Sequence, residues 1–107
     1  MLSPDVRLFY VPVPDADCGL RLARGAVAAH LAACANLLGP MTSLYEWEGR
    51  LEESSEQLLI LKTGTDRVEA LQAWLAAEHP YDVPCILHGR PDGAWAPFAE
   101  WVHARTR

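Results

Sequence analysis

His79 and Cys85 stand six positions apart around two prolines, in the run His79-Pro80-Tyr81-Asp82-Val83-Pro84-Cys85. An imidazole nitrogen and a thiolate sulfur are donors that soft and borderline cations accept, so this pair could hold a soft metal ion. The same pair has an enzymatic reading, with Cys85 as nucleophile and His79 as acid or base. That reading requires hydrogen-bond reach between them and a thiol of lowered pKa. His79 also has a structural reading at a helix end, where a protonated ring complements the carbonyl dipole.

A second group is aromatic and cationic. Tyr45 and Trp47 sit two apart, so a strand aims both rings at one face and sends Leu44, Glu46 and Glu48 to the other. Such rings either line a ligand cleft between subunits or pack an interface through their large contact area. Lys62 interrupts the apolar run Leu58-Leu59-Ile60-Leu61, so it needs a partner such as Glu46, or an anion. Glu52, Glu53 and Glu56 form an acidic cluster that reads as a solvated, edge-protecting surface.

The elements that must position these residues follow from periodicity. Val6 to Val13 is a short apolar run ended by prolines and fits a first strand. Asp15 and Asp17 can cap a helix whose Leu20, Val27 and Leu31 recur on one stripe, slimmed by many alanines. Two long strands fold back on each other at Glu48-Gly49-Arg50. The return strand begins polar and ends as a continuous apolar run, as a strand covered on both faces does. A second helix is expected from Asp66, with Glu69 completing a capping box, a stripe of Val68, Leu71 and Leu75, and Trp74 beside it. His79-Pro80 closes it. Val83 to His88 supplies a fourth strand, and Trp95, Phe98, Trp101 and Val102 mark a terminal helix.

The order is strand, helix, strand, strand, helix, strand, plus a helix. That is the ferredoxin-like βαββαβ pattern of the α+β class, an antiparallel four-stranded sheet with two helices on one face. The other sheet face and the projecting hairpin edge need cover, which points to an oligomer.

Composition excludes several functions. The 107 residues suit a single domain spanning 1–107. With 50% hydrophobic and 21% charged residues the chain is ordinarily globular. A net charge of -5 speaks against nucleic-acid binding, an RNA-binding sheet included. No apolar stretch approaches the roughly 20 residues of a membrane span. The amino terminus lacks the pattern of a secretory signal. The three cysteines read as reduced thiols, which makes the cytoplasm the expected compartment.

Three motifs now combine in order: Ala33-Cys34-Ala35-Asn36, Tyr45-x-Trp47-x-Gly49, and His79-Pro80-Tyr81-x-x-Pro84. Together they resemble the CutA family, named for divalent cation tolerance, and the likeness runs through nearly the whole chain. The resemblance implies a homotrimer of ferredoxin-like subunits, with the hairpins extending sheets across subunit boundaries. It implies a non-enzymatic metal response involving copper or another divalent cation, with no obligatory cofactor. Tyr45, Trp47, Lys62 and Tyr81 are the residues expected at an inter-subunit cleft or ligand site. The family's assembly resembles that of PII signalling proteins, so a small-molecule-sensing regulator, or a trimeric scaffold with no metal role, is the alternative. The family's metal ligands are a first-strand cysteine, the motif histidine and a glutamate after the second proline. This sequence holds Val11, His79 and Cys85 there, which leaves His79 and Cys85 as the implied ligands.

Overall fold

The computed structural model describes residues 6–107. Strand β1 spans Val6–Val13, helix α1 Ala16–Ala28, β2 Cys34–Trp47, β3 Arg50–Gly64, α2 Val68–Glu78, β4 Leu87–Gly89 and α3 Ala96–Arg105. The four strands form one sheet in the order β2-β3-β1-β4, and every pair is antiparallel. The expected ferredoxin-like architecture is present.

The register sorts side chains by face. Phe9 lies opposite Leu61 and Val11 opposite Leu59, and all four are buried beneath α1 and α2 with Leu22, Leu71 and Leu75. Alternation sends Leu8, Tyr10, Leu58 and Ile60 to the other face. Val6 shares that parity, and it packs with Ala33, Ala99 and Val102 in a separate cluster. Helix α3 therefore covers one end of the second face and leaves the rest open.

The hairpin turn is two residues long, since Trp47 pairs with Arg50. Glu48 and Gly49 both have positive φ, 51° and 77°, as a type I′ turn demands. Glycine adopts that backbone freely, and its right-handed twist matches the flanking strands. Among the described residues, 50–56 of β3 have β2 as their one strand neighbour, because β1 pairs with β3 from Gln57 onward. The result is a two-stranded arm, and the molecule measures 51 × 27 × 22 Å.

Helix α1 is capped by Asp15, whose Oδ1 accepts from the Cys18 amide at 2.8 Å. Its buried stripe is Gly19, Leu22 and Ala26; the expected Leu20 and Val27 are exposed. The helix packs through small residues. At Gly25 an added Cβ would stand 2.8 Å from the Trp74 ring, so glycine there lets α1 and α2 close together. The second helix differs at its start: a 3-10 turn, Thr65–Arg67, precedes α2, and no side chain caps either piece. The expected capping box is absent because the backbone of Asp66 is spent in that turn.

The fourth strand is shorter than expected. It covers Leu87–Gly89 where Val83 to His88 was anticipated. Pro84 has no amide to donate to a ladder, and Val83 points into solvent.

Candidate functional site

The end of α2 builds a small polar knot. His79 adopts extended backbone, φ -72° and ψ 138°, as the residue before a proline prefers. Its ring turns inward and is 6% exposed. Nε2 lies 2.9 Å from the Pro12 carbonyl oxygen, and Nδ1 lies 3.2 Å from the Tyr81 amide nitrogen. A carbonyl only accepts and an amide only donates, so the partners fix a neutral ring with the proton on Nε2. Both ring nitrogens are therefore engaged.

Tyr81 extends the knot. Its ring packs on His79 with centroids 4.7 Å apart, and its hydroxyl donates to Glu56 Oε2 at 2.8 Å. Burial first, and the Glu56 carboxylate second, hold the phenol well above its usual pKa. Tyr45 contributes to the same rise, which puts the arm's tyrosine within electrostatic reach of Tyr81. Cys85 is exposed, yet partial desolvation and then Glu56 push its thiol pKa up. A raised thiol is the opposite of what a nucleophile needs. Among the described residues, no group of three or more His, Cys, Asp and Glu side chains is arranged to hold a metal ion.

This arrangement has close relatives. The family model for the CutA1 divalent ion tolerance protein matches residues 7–105. The chain belongs to the CutA1 family. The divalent-cation tolerance protein CutA of Pectobacterium atrosepticum is 37% identical over 103 residues, covering 96% of this chain and 94% of that protein. The chloroplastic protein CutA of Arabidopsis thaliana is 40% identical over 98 residues, covering 92% of this chain and 54% of the plant protein. The chain thus spans about half the length of that relative, and 55% of the mouse protein CutA. Among solved structures, CutA1 from Oryza sativa superposes with a TM-score of 0.93 at 35% identity, covering 98% of this chain and 96% of that one. CutA1 from Ehrlichia chaffeensis gives the same TM-score at 33% identity, with 97% of each chain covered.

On this CutA1 fold the anticipated site residues divide. His79 and Tyr81 meet, and Glu56, which holds the Tyr81 hydroxyl, is also within electrostatic reach of Cys85. Val11 is fully buried on the helix side of the sheet. Lys62 is elsewhere. It lies opposite Cys34 while Tyr45 lies opposite Glu52, so roughly 33 Å of strand separates the two within one chain. Its Nζ donates to Asn36 Oδ1 at 2.9 Å, so its partner is Asn36 and not Glu46. Tyr45 and Trp47 stay about half exposed on the arm.

Glu56 is the residue that sequence reasoning misplaced. It reads as one of three solvated acids, but it is 7% exposed and holds the Tyr81 hydroxyl. Its partner lies 25 residues away, beyond any local pattern.

Proposed function

We propose that this chain is a homotrimeric, non-enzymatic divalent cation tolerance protein of the cytoplasm. The observation that supports assembly is the open sheet face. Leu8, Tyr10, Leu38 and Leu87 are exposed there around the half-buried Leu58 and Ile60. An apolar surface of this kind, continuous with a long β2 edge that is unpaired among the described residues, is costly in water and is covered by other copies. The neutral, doubly engaged His79 and the raised Cys85 thiol support a role without catalysis.

In this reading copper or another divalent cation binds weakly at the subunit boundary. Cys85 is the soft donor from this chain, and His79 keeps its structural bonds. Binding then releases the thiol proton, so affinity rises with pH. Tyr45, Trp47 and Tyr81 line the boundary cleft on one side.

The test reads native mass and heat together. Purified protein is expected to scatter light as three copies, and to take up Cu(I) or Cu(II) with an affinity that Cys85→Ser lowers and His79→Ala leaves unchanged. A monomeric mass would overturn the assembly. A silent titration with Cu(I), Cu(II) and Zn(II) would overturn the cation role.

A further inference from the structure

We propose that Tyr81 is a latch that sets the direction of the hairpin arm relative to the body. The inference rests on three features that meet at one level of the hairpin.

The first is where the sheet narrows. β1 reaches its last pair at Val13–Gln57, so from Glu56 to the turn β3 has, among the described residues, β2 alone as a strand neighbour. A two-stranded ribbon in water is marginal by itself. The second is a break in register at the same height. Leu38 pairs with Leu58 and Met41 with Glu56, so Gly39 and Pro40 together face Gln57 alone. One extra residue in a strand makes a bulge, which bends the ribbon and sharpens its twist. A bulge leaves the bend angle soft unless something outside the ribbon fixes it.

The third feature is that outside fixing. Glu56, the first arm residue of β3, is buried, and it accepts the hydroxyl of Tyr81 from the body at 2.8 Å. Tyr81 is itself anchored, because its amide donates to His79 and the His79 ring donates to Pro12 of β1. The chain of bonds thus runs from the end of β1, through α2's terminal histidine, to the root of the arm. Beyond this point Leu44 is 61% and Leu51 78% exposed, so neither is packed onto the body.

Amide hydrogen exchange on the full-length protein tests the latch. Tyr81→Phe removes one oxygen and leaves the ring packed against His79. Peptides covering residues 42–55 are expected to exchange about tenfold faster in this variant, the scale of a lost hydrogen bond to a charged group. Peptides covering 59–63 and 71–75 are expected to stay within twofold of wild type. Glu56→Gln keeps an acceptor for the phenol and should retain most of the arm's protection, while Glu56→Ala should behave as Tyr81→Phe does. Unchanged exchange over residues 42–55 in Tyr81→Phe would overturn the proposal. So would an acceleration shared equally by arm and body, since that is general destabilisation.

Discussion

His79 donates its Nε2 proton to the Pro12 carbonyl, just past the point where β4 stops pairing with β1 at Tyr10. A side chain takes over where a strand ends. Replacing His79 with Ala strips the partner from that carbonyl and from the Tyr81 amide. Each lost bond costs about 1–3 kcal/mol when the group stays dry, so a loss of roughly 2–4 kcal/mol is expected in denaturant unfolding. A variant as stable as wild type would show that water replaces the ring at no cost.

Alkaline pH should weaken the fold through Tyr81. Its folded pKa is raised, chiefly by burial and then by Glu56. Below about pH 10 both folded and unfolded phenols keep their protons, and the contribution is complete. Above that, the unfolded phenol ionises first, the unfolded state binds fewer protons, and stability falls as pH rises. The Cys85 thiol, also raised, adds the same sign from about pH 8.5 upward. Thermal midpoints of wild type and Tyr81→Phe, compared between pH 7 and 11, are expected to converge at the alkaline end. Parallel curves would contradict the assignment.

Cys85 should be a slow thiol despite its exposure. The thiolate is the reacting species, and desolvation with Glu56 nearby disfavours it. Iodoacetamide labelling followed by mass is expected to run below the rate of a free cysteine at pH 7 and to climb steeply above pH 9. Glu56→Gln should speed it. Rapid modification at neutral pH would revive the nucleophile reading.

Most of the scaffold is legible in the residues, for identifiable reasons. β1 shows an apolar run ended by prolines, and Gly49 marks the hairpin turn, which the structure narrows from Glu48-Gly49-Arg50 to Glu48-Gly49 because Arg50 already pairs with Trp47. Helix α1 is harder because its apolar arc is broad, with Asp17, Arg21 and Arg24 confined to one narrow side. Two stripes compete, and the buried one holds Gly19 and Ala26; Gly19 lets Leu37 come close, and Gly25 beside that stripe does the same for Trp74. No count of large side chains can choose that stripe. The site is harder to read for a different cause. His79 looks like a ligand by type, and only its two backbone partners reveal that its nitrogens are engaged. Glu56 looks solvated by its neighbours Glu52 and Glu53, until Tyr81 folds over it from a distant loop.

The arm offers a test of what its aromatic pair is for. Trp47 is 49% exposed opposite Arg50, so within one chain its removal sacrifices little packing. If the rings bury themselves against a second copy, Trp47→Ala should lower the thermal midpoint and move native mass towards the monomer. Truncating a central aromatic at an interface costs about 2 kcal/mol or more, which weakens association by roughly thirtyfold. An unchanged mass and midpoint would leave the pair to ligand binding.

The open face can be probed without touching the arm. Leu38 sits on the edge strand β2, opposite Leu58, with 49% of its surface exposed. Replacing it with Glu puts a charge where a covering copy would have to desolvate it, at a cost of several kcal/mol without a partner. Within a lone subunit the carboxylate stays in water, and surface changes of that kind stay within about 0.5 kcal/mol. Leu38→Glu is therefore expected to give a folded monomer, with wild-type far-ultraviolet dichroism and about a third of the wild-type scattering mass. The paired control is Leu51→Glu at the arm tip, which carries the same charge change on an even more exposed leucine away from the apolar face. Assembly that survives Leu38→Glu would mean that the sheet face stays open to solvent and that the copies meet elsewhere.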